Sequence, residues 1–190
     1  MKEMNLYSIR ELALKSGRAV YSVQQLANLI KKQKAIAAVY SSRLVAKGLA
    51  RRLLKGKISF AEDDFIVASQ LVEPSYISLS SALAFHNILS QVPANVECVS
   101  PKNSRRYGKL GLVYHKIPPS LFFGYEKYRK GDSYVFVAEP EKALIDGIYL
   151  NLLPKNVLAE AMAGLDKNKL AGYVRRYAGR GKKKLERWLL

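Results

Sequence analysis

SVQQLANLIKKQKAIAAVYSSRLVAKGLARRLLKGKISF, residues 22–60, is the stretch that decides the fold. Ser22 is a strong helix N-cap, and Gln25 three residues on completes a capping-box pattern. Val23, Leu26, Ala27 and Ile30 then share one apolar stripe, which predicts a helix over 23–30. Lys31, Lys32 and Gln33 form a polar turn. A further helix is expected over 34–47, stopped by Gly48. Leu44 faces its core side, and either Val39 or Tyr40 joins it, so the phase of this helix stays open. Residues 49–54 then read as a short strand, Lys55-Gly56-Lys57 as a tight basic turn and 58–60 as the return strand.

Working outward, Leu6, Ile9, Leu12 and Ala13 recur at helical spacing, which predicts a first helix over 5–16 ended by Gly17. Val20 and Tyr21 form a short extended link. Three helices followed by a basic-tipped hairpin is the order of a winged helix-turn-helix, with the short turn that the motif requires. The third helix is then the reading helix for a DNA major groove. Its small residues Ala35, Ala37, Ala38, Ser41, Ser42 and Ala46 allow close approach to base edges, and Ser41, Ser42 and Arg43 can hydrogen-bond bases or phosphates. Ser22 and Gln24, at the start of the second helix, join the candidate DNA-contacting set. Lys31, Lys32 and Lys34 sit where a DNA backbone would pass, and Arg51, Arg52, Lys55 and Lys57 place charge on the wing.

Beyond the wing, Glu62, Asp63 and Asp64 suit the start of a helix over 61–73, so these adjacent carboxylates read as caps and not as metal ligands. Pro74 marks a boundary; Tyr76-Ile77-Ser78 reads as extended, and Ser80 or Ser81 caps a helix over 82–89. Strands are expected at 96–99, 112–117 and 134–137, with Arg105-Arg106-Tyr107-Gly108 as a basic turn or a strand edge. Glu139-Pro140-Glu141 opens another helix, whose apolar side is Ala143, Leu144, Ile145, Ile148 and Tyr149. Lys142 and Asp146, four apart, are expected to pair across one turn of it for about 0.2–0.5 kcal/mol. Helical pieces follow at 156–163, 167–177 and 182–190. The expected class is therefore α+β, divided into a winged helix-turn-helix domain over 1–60, a linker helix over 61–74, a mixed α+β domain over 75–150 and a basic helical region over 151–190.

Charge points to a polyanionic partner. The net value is +17, distributed as +11 over residues 1–60, −1 over 61–150 and +7 over 151–190. In the tail, Arg180 to Lys184 either touches nucleic acid or is a solvated helix end. A catalytic constellation does not assemble. His86 and His115 stand outside any spaced metal motif, and His86 reads as a satisfied structural histidine. Gly108-Lys109-Leu110-Gly111 lacks the ending of a phosphate loop, and Ser78, Ser80 and Ser81 lack a nucleophile elbow. Glu97 and Lys102 are too far apart for the acidic-x-Lys core of a nuclease. No enzyme activity, cofactor or metal is expected. Cys98, the single cysteine, cannot close an internal disulfide, no apolar run approaches the ~20 residues of a membrane span, and residues 1–11 carry no apolar signal core. The expected location is the cytoplasm.

Three motifs resemble a known family. Ser75-Tyr76-Ile77-Ser78-Leu79-Ser80-Ser81-Ala82-Leu83-Ala84-Phe85-His86-Asn87-Ile88-Leu89 and Val137-Ala138-Glu139-Pro140-Glu141-Lys142-Ala143-Leu144-Ile145-Asp146 are similar to signatures of the AbiEi antitoxins of type IV, abortive-infection toxin–antitoxin systems. Gly48-Leu49, Arg52, Gly56 and Lys57 match the pattern those proteins carry near the wing. The resemblance spans roughly residues 5–150. It implies a transcriptional repressor that binds operator repeats in double-stranded DNA, autoregulates its operon and opposes a nucleotidyltransferase-like toxin encoded nearby, direct contact with the toxin not being assumed. Residues 75–150 are then the antitoxin domain, with the helices over 80–89 and after Glu139 presenting its surface. The rival readings are a nuclease targeted by the winged helix and a winged helix that binds protein.

Overall fold

The computed structural model describes residues 4–91 and 93–189, so Leu190, the end of the last expected tail helix, lies outside the described residues. The protein is of the α+β class, as expected from its residues. It divides into two compact units: residues up to Leu71 with Arg129–Val135, and Val72–Tyr128 with Phe136 onward.

The first unit runs α1 (Leu6–Lys15), β1 (Val20–Ser22), α2 (Val23–Ile30), α3 (Lys34–Ala46), β2 (Arg51–Leu54), β3 (Lys57–Ser59) and α4 (Asp64–Leu71). Up to β3 this is the expected order of helices and hairpin, with β1 added to the sheet. The sheet is antiparallel in the order β1-β3-β2, with Tyr21 opposite Ile58 and an irregularity between Arg52 and Leu54. The local signals act as chemistry dictates. Ser22 Oγ accepts from Gln25 N at 3.2 Å, and Gln25 Oε1 accepts from Ser22 N at 2.8 Å, so two orphan donors of α2 are satisfied reciprocally. Gly48 ends α3 with φ +67°, a conformation that a Cβ would strain. Ile9, Ala13, Leu26, Ala27, Ile30, Ala37, Tyr40, Leu44 and Ile58 form the core.

The helix expected over 61–74 is α4, and six of its eight residues are buried. Asp63 Oδ1 caps it, accepting from Phe65 N at 2.9 Å and Ile66 N at 3.1 Å. Its Gln70 works as a buried polar clamp: Oε1 accepts from Ala19 N and Val20 N, while Nε2 donates to Ser133 Oγ and the Tyr134 carbonyl. The segment thus belongs to the core of the first unit.

The second unit holds β4 (Tyr76–Ile77), α5 (Leu79–Phe85), β5 (Val96–Ser100), β6 (Arg105–Tyr107), β7 (Leu112–Lys116), β8 (Tyr125–Lys130), β9 (Ser133–Ala138), α6 (Pro140–Leu150), α7 (Lys155–Met162), α8 (Lys167–Val174) and α9 (Gly179–Leu189), with Arg129–Val135, the end of β8, its turn and the start of β9, counted in the first unit. The mixed sheet has the order β6-β7-β5-β4-β9-β8. α5 starts at Leu79 with Ser78 in the N-cap position and ends at Phe85, three residues earlier at its start and four earlier at its end than expected. Ser81 does not cap it: that hydroxyl bridges β5, accepting from Glu97 N at 2.9 Å and donating to the Asn95 carbonyl. Asn87, left-handed at φ +58°, breaks the chain away before Leu89. Among the described residues no helix is long and apolar enough to cross a membrane.

Candidate nucleic-acid interface

The phase of α3 is fixed by Tyr40, which joins Ala37, Ser41 and Leu44 on the buried side, while Val39 is 50% exposed. The exposed side is Ala35, Ala38, Val39, Ser42 and Ala46, at helical spacing on one face, with Lys34, Arg43 and Lys47 exposed along it. This corrects two expectations. Ser41 and Ala37 are buried and cannot approach a base edge. Two exposed residues join the face instead, Val39 and Lys47; both follow once Tyr40 rather than Val39 is set on the core side. An exposed methyl-bearing helix face is chemically suited to thymine methyl groups, and Ser42 to a base-edge hydrogen bond.

The remaining candidates fall in three groups. Ser22 is half-buried with its hydroxyl engaged in the capping box, so its role is to start α2; the exposed Gln24 donates to Asn28 Oδ1 at 3.1 Å. Lys31 is the left-handed C-cap of α2 at φ +52° and is exposed, Lys32 is half-buried, and Lys34 opens α3 in solvent. On the β2–β3 hairpin, Arg51, Arg52 and Lys55 are exposed, with Arg51 3.5 Å from Asp64 in an exposed ion pair. Lys57 departs from expectation. Its ammonium donates to the Leu71 carbonyl, at the C-terminal end of α4, where the helix dipole favours a cation. It ties the β2–β3 hairpin to the end of α4 within the first unit.

Charge sign is uniform along the sequence of this region. No Asp or Glu occurs between Glu11 and Glu62, while Lys15, Arg18, Lys31, Lys32, Lys34, Arg43, Lys47, Arg51, Arg52, Lys55 and Lys57 do. α3 has no acidic residue in its first turn, where one would stabilise it, and carries Lys34 there instead.

The second unit concentrates its polar chemistry inside. Asp146, fully buried, accepts from Tyr76 Oη at 3.0 Å and Ser78 Oγ at 2.8 Å and is bonded to the Lys142 ammonium. Lys142 is also buried, donates to Tyr177 Oη and lies 4.9 Å from the Phe123 ring centroid. Burial pushes the Lys142 ammonium below its ordinary pKa and the Asp146 carboxyl above its own; each opposes the shift on the other. Lys142 and Asp146 thus pair across one turn of α6 as expected, but in the interior, where the few tenths of a kcal/mol of a solvated helical pair no longer describe them. Burial also removes Asp146 from any surface presented to a partner. Glu139 and Glu141 receive α8: Lys169 lies 3.0 Å from Glu139 and 3.6 Å from Glu141, Tyr173 Oη donates to Glu139, and Glu141 accepts from Asp166 N.

The two strings at 75–89 and 137–146 meet here, through Tyr76 and Ser78 on Asp146 and through His86 Nε2 2.9 Å from the Ala138 carbonyl. His115 Nε2 lies 3.6 Å from Glu97 Oε1, and the Cys98 thiol, buried, is held well above its ordinary pKa by desolvation. Among the described residues, no three His, Cys, Asp or Glu side chains converge. The chain matches no family model and no curated protein sequence.

Proposed function

We propose that this chain is a sequence-specific DNA-binding regulator whose first unit works as a winged helix-turn-helix. α3 enters the major groove with the Ala35–Ala38–Val39–Ser42–Ala46 face toward the bases, and Arg52 and Lys55 on the hairpin hold phosphates. The observation that carries the reading is the coincidence of a small-residue helix face with a run of 50 residues, 12–61, that holds only positive charge. Base readout needs a face that can come close, and phosphate contact needs cations without neighbouring carboxylates. By its three motifs the chain also reads as an AbiEi-type repressor that autoregulates its operon and as the antitoxin to a nucleotidyltransferase-like toxin encoded nearby. The second unit carries that antitoxin role without catalysis.

The test is a fluorescence titration of the full chain onto duplex DNA from upstream of its own gene, at rising salt. Log affinity falls linearly with log salt, by about 0.9 per phosphate contact. A flat line sinks the DNA-binding reading. Ser42→Ala changes the preference among duplexes, and unchanged preference would remove α3 from base reading. The antitoxin role is checked separately by co-expression with the adjacent toxin: relief of growth arrest is expected, and undiminished arrest overturns it.

A further inference from the structure

α9 carries a charge pattern that its fold does not need. Residues 167–189 hold nine Lys or Arg and one acid, Glu186. Some of these cations have structural work. Lys169 binds Glu139 and Glu141, Arg176 stacks 3.5 Å over Phe123, Lys182 lies 3.8 Å from Glu186, and Lys184 donates to the Tyr149 carbonyl and Asn151. Arg180 and Lys183 do not share in it, and Arg187 gains only the favourable C-terminal end of the α9 dipole. All three are exposed, and spacings of three and four put them within one narrow face of the helix.

Docking of α9 does not explain that face. Its seat is made by Leu185, fully buried, and by Gly181, where a Cβ would lie 2.8 Å from the Tyr149 ring. Against stability, the three cations repel one another at helical neighbour spacing. Arg180 and Lys182 also sit in the first turn, where the helix dipole disfavours cations and where α9 has no acid. The charged edge strand β6 is different: exposed Arg105 and Arg106 there have a structural reason, since charge on an edge discourages pairing with another sheet. A local rule broken without a compensating contact inside the chain points outside it.

We infer that the Arg180–Lys183–Arg187 face of α9 is a second phosphate-contacting surface, which binds the backbone of duplex DNA independently of base sequence. This rests on the reading of the chain as a DNA-binding regulator. It assigns to the second unit a share of the affinity, while base choice stays with α3.

The experiment compares the full-length chain with Arg180→Gln/Lys183→Gln/Arg187→Gln and with Arg52→Gln/Lys55→Gln, on the upstream duplex and on an unrelated duplex of equal length. For the α9 variant the slope of log affinity against log salt becomes shallower by roughly two to three, at about 0.9 per lost contact. Affinity falls by the same factor, roughly tenfold or more, on both duplexes. Its melting temperature changes little, because the repulsion removed offsets the loss of the Arg187 charge from the last turn of α9. An unchanged slope in the α9 variant, with a shallower one in the wing variant, overturns the inference and leaves the DNA-binding reading standing. Absence of salt-dependent binding in the unsubstituted chain overturns both. Loss of binding to vesicles of anionic lipid, with the DNA slope unchanged, assigns the face to a membrane surface and overturns the inference.

Discussion

α3 and α6 use charge in opposite ways. α3 buries four of its 13 residues and leaves Lys34 and Arg43 in solvent. α6 buries eight of its 11, among them Glu141, Lys142 and Asp146. An exposed cation on a helix is a handle for a partner at little cost to the fold. A buried ion pair has been stripped of water, and it is tolerated only because every charge has its counterion and hydroxyl donors close by. On the proposed reading, the same residue types therefore serve recognition on α3 and architecture on α6.

The sharpest break of this comparison comes from removing one polar side chain on each helix. Asp146→Ala leaves the Lys142 ammonium buried without its counterion and costs about 3–5 kcal/mol. Ser42→Ala on the exposed face of α3 stays within about 0.5 kcal/mol. Urea denaturation monitored by circular dichroism measures both. An Asp146→Ala protein that loses less than about 1 kcal/mol shows that water reaches the pair, and the contrast between the helices disappears. Replacing both partners by apolar residues of similar volume is expected to be far milder than Asp146→Ala alone, which separates the cost of an orphaned charge from the worth of the pair.

The next effect concerns two glycines. Gly124 has φ +69°, and a Cβ there would stand 3.1 Å from Lys142 Cγ. Gly56, in the β2–β3 turn, has φ +76° and open space around it. Alanine at either position meets left-handed backbone strain of about 1–2 kcal/mol. Only Gly124→Ala also pushes on the stem of the buried lysine, so it is the more destabilising of the two by thermal melting. Equal losses would mean that Lys142 shifts freely, contrary to its enclosure by Tyr76, Phe123 and Tyr177.

This asymmetry also decides what could be read from sequence. The start of α2 was legible because the capping box is complete within four residues, Ser22 to Gln25. The same holds for Pro140 at the first turn of α6. The burial of Lys142 and Asp146 was not legible, because their surroundings come from Tyr76, Phe123 and Tyr177, distant in sequence and assembled only by the fold. α4 was legible as a helix, but its core position was not, since a helix buried on most sides has no polar face to mark it. β8 was missed outright: Tyr125–Lys130 mixes charge with aromatics and carries no continuous apolar run. In the candidate interface, one undetermined phase decided the outcome. Once Tyr40 faces inward, Ser41 is buried and Ser42 exposed, although both are serines side by side.

On the exposed side of the comparison, the proposed DNA-binding role predicts that the hairpin cations Arg52 and Lys55 act on binding and not on stability. Arg52→Ala and Lys55→Ala each weaken DNA binding by about 1 kcal/mol, roughly fivefold, and equally on all sequences. Titration against matched and unrelated duplexes checks this. A change in preference between duplexes would move base reading from α3 to the hairpin.

Lys57 tests the division within a single turn. It is two residues from Lys55 and of the same type, yet its ammonium is directed onto the Leu71 carbonyl, whereas Lys55 is exposed. A cation at a helix C-terminus contributes about 0.3–1 kcal/mol, so Lys57→Ala lowers the unfolding free energy by about that amount. The salt slope of DNA binding stays as in the unsubstituted chain, because no phosphate contact has been lost. Lys55→Ala does the reverse: a slope shallower by about 0.9 and a stability within about 0.5 kcal/mol of the original. Chemical denaturation and salt titration on the two variants give four numbers, and the predicted pattern is crossed. If Lys57→Ala instead flattens the salt slope while leaving stability intact, its ammonium leaves α4 to reach phosphate when DNA is bound. The hairpin then carries its charges as one group, and burial in the free protein would no longer separate structural cations from binding ones.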